Sequence, residues 1–257
     1  MTAVRKLYIL LCGYEIIRKS ACLREASRAQ LLAVPICAYL LETDCGFVVF
    51  DTGLDPASLA DHDQARRTYV NDLFPAPPIV LPEHRLEAQL AAIGVPLEAV
   101  GDVILSHTHS DHTGGLKLFA KARVWIQKLE HEAAFSEAGR AASNFQDIAG
   151  SVHWQIRDGD WELMPGIEVL FTRGHRPGHQ SACVTLPSGA KKILVGDVAD
   201  LIENFDHETL GSSMDDAAAM QSLLRLKRLA AAPGCELVPL HDPAFVQTAR
   251  LAPEYYD

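Results

Sequence analysis

The most constraining feature of the sequence is residues 107–112, which read His-Thr-His-Ser-Asp-His and lie between an apolar strand pattern and two glycines. In an extended segment, residues two apart point the same way. His107 and His109 are therefore placed to bind one metal ion while Asp111 or His112 turns toward a second. Imidazole and carboxylate ligands suit zinc and also iron, manganese or cobalt. The segment predicts one loop that serves two metal ions.

Further ligands are expected downstream, because a catalytic metal site draws its protein ligands from more than one loop. Three places offer them, each where an apolar strand pattern gives way to a loop: His175 and His179 in a Gly-His-Arg-Pro-Gly-His element, Asp197 after Val195-Gly196, and His241. Taken singly, Asp197 is typical of a helix cap and His241 of a surface histidine. Combined with the first segment, all three places indicate metal ligands.

The order of these motifs resembles that of the metallo-β-lactamase superfamily over nearly the whole chain, and Asp51-Thr52-Gly53 resembles that family's first motif. The resemblance implies an α/β fold, namely an αβ/βα four-layer sandwich with the metal site at one edge of the two sheets. The alternation of apolar strand runs with helical periods independently predicts two mixed sheets faced by helices. With no linker or repeat, residues 1–257 are expected to form a single hydrolase domain.

The resemblance also implies a ligand set and two divalent cofactor ions, with zinc as the first choice and iron, manganese or cobalt as alternatives. Metal 1 is assigned to His107, His109 and His175, metal 2 to Asp111, His112 and His241, and the bridging position to Asp197. The resemblance also implies that Asp51 and His179 support these ligands without binding a metal themselves.

Within that superfamily, several segments resemble the quorum-quenching N-acyl-homoserine lactonases: residues 4–8, 35–43, 178–181, 203–205 and 253–255. The expected reaction is opening of an N-acyl-homoserine lactone or related lactone by a metal-bridging hydroxide. The alternatives are another ester or thioester hydrolase, a phosphodiesterase, and a mononuclear iron persulfide dioxygenase. The last would not need the second set of ligands.

One position departs from those lactonases, which carry a tyrosine three residues after the bridging aspartate where this chain has Asp200. Three explanations stay open: Asp200 has a raised pKa, Tyr69 takes the tyrosine's role, or the substrate differs. With two cations nearby we expect Asp200 to be ionised. The residues expected in catalysis are Asp111, Asp197 and Asp200.

Residues 60–82 correspond to the region that forms the substrate wall in the family. Tyr69 and Phe74 in this segment are candidates for apolar contacts to the substrate, with ordinary packing as the alternative.

Composition excludes several partners. The net charge is −10 and no run of Lys or Arg exceeds a pair, which argues against nucleic-acid binding. No apolar run approaches the roughly 18 residues of a membrane span. Six cysteines without CxxC spacing favour reduced thiols and a cytoplasmic location. A small-molecule lactone or ester is therefore the expected partner, and a homodimer is left open.

Overall fold

A computed structural model describes residues 2–142 and 145–257, which form two β-sheets packed face to face. In spatial order the first sheet contains β1 (Val4–Arg18), β2 (Leu31–Thr43), β3 (Gly46–Phe50), β4 (Val100–Ile104), β5 (Arg123–Gln127) and β6 (His153–Arg157). Strands β1 to β3 pair antiparallel, whereas β3 to β6 run parallel. The first sheet is therefore mixed.

The second sheet is also mixed. Its strands in chain order are β7 (Trp161–Met164), β8 (Ile167–Phe171), β9 (Gln180–Thr185), β10 (Lys191–Leu194) and β11 (Cys235–Val238). The strands from β7 to β10 pair antiparallel, and β11 adds to β10 in parallel.

Nine α-helices are assigned within the described residues: α1 (Lys19–Cys22), α2 (His62–Tyr69), α3 (Leu86–Ala92), α4 (Ser110–Thr113), α5 (Lys128–Ala134), α6 (Glu137–Ala142), α7 (Ile202–His207), α8 (Asp216–Ala230) and α9 (Pro243–Thr248). Short 3₁₀ turns also occur, including Gly196–Val198 between β10 and α7. No helix in the described part of the chain combines the length and apolar character needed to cross a membrane.

The core is arranged in layers that follow the alternation of side chains along the strands. In β1, Leu7 and Ile9 pack between the two sheets, while Tyr8 and Leu10 pack on the opposite face of the first sheet, against residues of α3 such as Leu90. Each fully buried Leu or Ile contributes about 1.5–3 kcal/mol relative to an exposed one. Because both faces of β1 are covered, its pattern reads as a continuous apolar run.

The outer face of the second sheet is covered by α8. Ile193 of β10 and Leu170 of β8 pack with Leu223 and Leu226, which lie about one turn apart on the buried side of that helix. The layers are therefore helix, sheet, sheet, helix, which confirms the predicted αβ/βα four-layer sandwich.

The apolar run at residues 6–11 predicts a strand, and Gly13, Tyr14 and Glu15 interrupt the run after it, but β1 is longer than that strand. At Gly13, whose φ of 144° suits glycine, the pairing with β2 shifts register. After this bulge the strand continues through Glu15 to Arg18. The polar residues that read as an interruption therefore belong to the strand.

The sequence predicts one helix over residues 129–138, but the structure has two helices there, α5 and α6. Ser136 lies between them, and its Oγ accepts a hydrogen bond from Gly139 N at 3.1 Å, which caps the start of the second helix. The sequence also predicts that residues 60–82 form a loop; they contain α2, so that prediction was incomplete.

The ligand-bearing segments all follow strand ends at one edge of the two sheets. Residues 106–112 follow β4, residues 173–179 follow β8, Asp197 follows β10, and His241 follows β11. Segments distant in sequence therefore meet at this edge.

Candidate metal centre

The first group of converging side chains consists of His107, His109, His175 and Asp197, whose ligand atoms all lie within 4.8 Å of one another. His109 Nδ1 lies 2.9 Å from His107 Nε2 and 3.1 Å from His175 Nε2. These separations place three imidazole nitrogens around one point. The group has the composition of a zinc-type site.

The second group consists of Asp111, His112 and His241, again with ligand atoms within 4.8 Å of one another. Asp111 Oδ2 lies 3.2 Å from His112 Nε2 and 3.5 Å from His241 Nε2. All three residues are buried.

Asp197 lies between the two groups and offers one oxygen to each. Its Oδ2 is 3.6 Å from His107 Nε2 and 3.3 Å from His175 Nε2. Its Oδ1 is 3.3 Å from His112 Nε2 and 3.5 Å from His241 Nε2. A carboxylate with one oxygen near each group has the geometry of a bridging ligand.

Two buried atoms at the centre have no hydrogen-bond partner within the described structure: His112 Nε2 and Asp197 Oδ1. Buried polar atoms without partners are rare in native proteins and need an explanation. A metal ion would give a partner to the Asp197 oxygen and, after loss of its proton, to the His112 nitrogen. The residues present therefore fit a divalent metal site.

Asp51 supports His112 from behind, at the end of β3. Its Oδ1 accepts from Ser106 N at 2.7 Å, and its Oδ2 accepts from Ser106 Oγ at 2.7 Å and from His112 Nδ1 at 2.8 Å. Its φ of 59° lies in the left-handed region, which aspartate tolerates better than most residues. Burial raises the pKa of Asp51, while His112 and Ser106 oppose the shift.

Backbone carbonyls orient two further imidazoles. His241 Nδ1 donates to the Pro35 carbonyl at 2.8 Å, and His175 Nδ1 donates to the Ser212 carbonyl at 2.9 Å. A hydrogen bond from Nδ1 leaves Nε2 with a free lone pair for a metal.

His179 is placed outside both metal groups. Its Nε2 accepts from the backbone N of Asp197 at 2.9 Å, and its Nδ1 lies 3.0 Å from Thr172 Oγ1. Gly196 has a φ of 62°, and a Cβ there would lie 2.6 Å from His179 Nε2. The close approach of this glycine lets the histidine position the backbone at Asp197.

Glu130 of α5 is a supporting residue that sequence reasoning missed. Its fully buried carboxylate accepts from Thr108 N and Gly178 N, each at 3.1 Å, and from Thr108 Oγ1 at 2.6 Å. Thr108 lies between two candidate ligands, and Gly178 follows a third in the next segment. Glu130 therefore joins the two segments that carry His107, His109 and His175.

A cavity of about 660 Å³ opens onto both metal groups. Tyr69 and Phe74, the predicted wall residues, line it together with Ile17 and Val34. The Tyr69 hydroxyl donates to Ser58 Oγ at 2.7 Å, so its proton is already engaged. The volume lies within the usual range of about 300–1,000 Å³ for small-molecule pockets.

Two carboxyl groups, Glu15 and Asp200, also line the cavity. Burial, followed by the charge of Asp111, raises the pKa of Glu15 to about 8. Burial and Asp197 raise the pKa of Asp200, which also contacts the thiol of Cys22. In the metal-free protein Asp200 therefore has a higher pKa than an ordinary aspartate. Glu15 was missed at the sequence level, where it read as a polar break in an apolar run.

The histidines of the centre divide into two electrostatic classes. Burial lowers the pKa of His109 to about 3 and that of His179 to about 3. Burial also opposes protonation of His112 and His241, but nearby carboxylates raise the pKa of His112 well above its usual value and that of His241 to about 10. In the metal-free site the positive charge is therefore carried by His112 and His241 of the second group, beside Asp111 and Asp197.

The chain is similar to known proteins over nearly its whole length. The family model described as the metallo-beta-lactamase superfamily matches residues 33–239. An N-acyl homoserine lactonase of Bacillus thuringiensis is 29% identical over 252 residues, covering 98% of this chain and 99% of the relative.

Two solved structures cover 100% of both chains at 30% identity and a TM-score of 0.89. One is an N-acyl homoserine lactone hydrolase with the product N-hexanoyl-L-homoserine at its catalytic metal center, and the other is a B. thuringiensis AiiA mutant with N-decanoyl-L-homoserine at its active site. The family match over most of the chain, together with the strand-end site, shows that this chain belongs to the metallo-β-lactamase superfamily.

Proposed function

We propose that this chain is a dinuclear metal-dependent lactonase that opens N-acyl-homoserine lactones or a closely related lactone. The observation that carries the proposal is the position of Asp197, with one carboxylate oxygen directed to each group of histidines. The similar proteins named above are lactonases, and the solved ones hold ring-opened acyl-homoserines.

Residues 1–257 supply the whole proposed site. We assign one ion to His107, His109 and His175, a second to Asp111, His112 and His241, with Asp197 shared, and zinc as the metal. When bound, two such cations supply a nucleophilic hydroxide at neutral pH and stabilise negative charge on the substrate oxygens. Because each chain carries all seven ligands, the chemistry needs no second copy.

The protein's own side chains hold this centre rigid and shape the space in front of it. Asp51 fixes the tautomer of His112, and His179 fixes the backbone at Asp197. Ile17, Val34 and Phe74 provide apolar surface for an acyl chain.

Hydrolysis adds water across the bond between the carbonyl carbon and the ring oxygen: the hydroxyl group goes to the carbon, and the remaining proton goes to the ring oxygen through solvent in the cavity. Asp200 lines the cavity beside the centre, where two cations lower its pKa again. We propose that Asp200 accepts a hydrogen bond from the polar part of the substrate and so orients it.

All six cysteines are free thiols and four are buried, which fits a reducing cytoplasm.

A substrate panel tests the proposal. Purified protein with measured metal content is assayed against N-hexanoyl- and N-decanoyl-L-homoserine lactone, an acyl thioester and an activated phosphodiester. We expect kcat/KM for the lactones to reach at least about 10⁴ M⁻¹s⁻¹, the lower end for enzymes acting on their own substrates. Faster turnover of the thioester or the phosphodiester would overturn the lactonase assignment.

A further inference from the structure

Arg176 occupies the cavity wall on the side of the first metal group, next in sequence to His175. Its Nε donates to Glu130 Oε1 at 3.1 Å, and its side chain is 19% exposed. Glu130 is completely buried. The guanidinium is therefore attached to a fixed anchor while it still reaches the cavity.

The anchor does not depend on Arg176. The Glu130 carboxylate also accepts from Thr108 N, Thr108 Oγ1 and Gly178 N. Gly178 packs so closely that a Cβ there would lie 2.1 Å from Glu130 N. Three donors stay on the carboxylate when the arginine is removed, so an Arg176 variant is expected to keep the metal-binding segments in place.

Most of the guanidinium remains available to a molecule in the cavity. Across the described residues, Glu130 is the one acidic group that forms an ion pair with Arg176. The other contact, from Nη1 to Met214 Sδ at 3.6 Å, uses a weak acceptor. Arginine carries five N–H donors, so several are left.

The surroundings of Arg176 differ from those of the second metal group. Ala133, Ala134 and Met214 give the wall near Arg176 small or apolar side chains. Among the residues that line the cavity in the described structure, Arg176 is the one arginine or lysine. A substrate oxygen in the cavity is attracted by this cation.

We propose that Arg176 is a specificity-determining residue that donates to an acceptor oxygen on the acyl part of the substrate. This inference rests on the proposed lactonase function. It names the preferred substrate class as lactones whose acyl group carries a keto or carboxylate oxygen, over lactones with a plain alkyl chain. Charge-assisted hydrogen bonds in a partly desolvated site are about twice as strong as neutral ones, so the preference is measurable.

The test compares three substrates: N-hexanoyl-homoserine lactone, its 3-oxo derivative, and a derivative with a terminal carboxylate on the acyl chain. Wild type, Arg176→Met and Arg173→Met are assayed, each with measured metal content. Arg173 is a matched control because it lies in the same segment but is exposed and outside the cavity lining. If Arg176→Met does not fold, Arg176→Gln, which keeps a donor for Glu130, takes its place.

We expect Arg176→Met to lower the kcat/KM ratio of an acceptor-bearing substrate to the plain one by at least about fivefold, a threshold set below the loss of about tenfold or more that a hydrogen bond to a charged group represents. Arg173→Met leaves both ratios unchanged, and all proteins keep their metal. A smaller change for both acceptor-bearing substrates, or an equal change in the control, overturns the role of Arg176.

Calorimetric affinities for the three ring-opened products give the same ratios without turnover. If metal-loaded wild type hydrolyses none of the lactones, the proposed function fails. In that case the product affinities still decide the role of Arg176, by the same fivefold threshold.

Discussion

The Oδ2 atom of Asp51 lies 2.8 Å from Nδ1 of His112, and both side chains are completely buried. The hydrogen bond orients the His112 ring so that Nδ1 donates to Asp51 and Nε2 faces Asp197, and Nε2 has no hydrogen-bond partner in the described structure. A residue from the end of β3 thus determines which nitrogen of a distant histidine can bind metal.

Asp51→Asn is expected to weaken metal binding at the second group by about 10- to 100-fold, the usual cost of losing an outer-shell carboxylate. Competition with a chromophoric chelator measures the affinity. Asp102→Asn is the matched control, because Asp102 is a buried aspartate that binds Arg123 and Trp125 away from the metal centre. Unchanged affinity in Asp51→Asn would show that the hydrogen bond does not support the metal.

Asp197→Ala and His179→Ala separate a bridging ligand from a supporting residue. We expect Asp197→Ala to lose binding at both groups and to lower kcat by more than about 100-fold, beyond the usual cost of a supporting residue. His179→Ala keeps close to two ions per chain, since its Nε2 contacts the backbone of Asp197 and no metal group includes it. Elemental analysis decides this, and metal loss in His179→Ala with retention in His175→Ala would reverse the assignment.

Proton release follows from the charge of the metal-free site. At pH 7 His112, with its raised pKa, and His241, with a pKa of about 10, are both protonated. Coordination requires neutral imidazole, so zinc binding at pH 7 should release about two protons per chain or more, and affinity should fall as pH falls. A pH-stat titration measures the release.

In that titration His241→Ala should release about one proton fewer than wild type. His84→Gln, which changes a histidine outside the site, should match wild type. Zinc binding without proton release would contradict the charge assignment.

The sequence could indicate a metal-binding segment because the candidate ligands of residues 107–112 are close together in sequence, shortly after the end of β4. The four-layer fold followed from the same motifs and from apolar runs covered on both faces. By contrast, Glu130 acts through Thr108, Arg176 and Gly178, which lie 22 to 48 positions away. A lone glutamate on a helix gives no sequence signal for such contacts.

The sequence also did not predict helix α2 or the position of Glu15 in a strand, and each has a local reason. Helix α2, beside the cavity, buries only Ala65, so it lacks the apolar stripe that identifies most helices. Glu15 follows a bulge at Gly13, and a charged residue in an apolar run reads as the end of a strand. The position of Glu15 in a strand depends on the long-range pairing of β1 with β2.

Asp200 is the clearest test of how this chain differs from the lactonases it resembles. In the metal-free protein burial raises its pKa, and bound cations act in the opposite direction. We expect Asp200→Asn to change mainly KM or substrate preference, and Asp200→Tyr to raise activity on acyl-homoserine lactones. The measurement is kcat and KM of both variants and the wild type from pH 5 to 9. A loss of the basic limb with kcat lowered by about 10² or more would instead identify Asp200 as the leaving-group acid.

We expect seven residues of this chain to hold two ions that act together on a lactone. Metal-free protein is titrated with zinc while hydrolysis of N-hexanoyl-L-homoserine lactone is followed. Activity should rise until two equivalents per chain are bound and then stop rising. Full activity at one equivalent, or no hydrolysis with two ions bound, would contradict it.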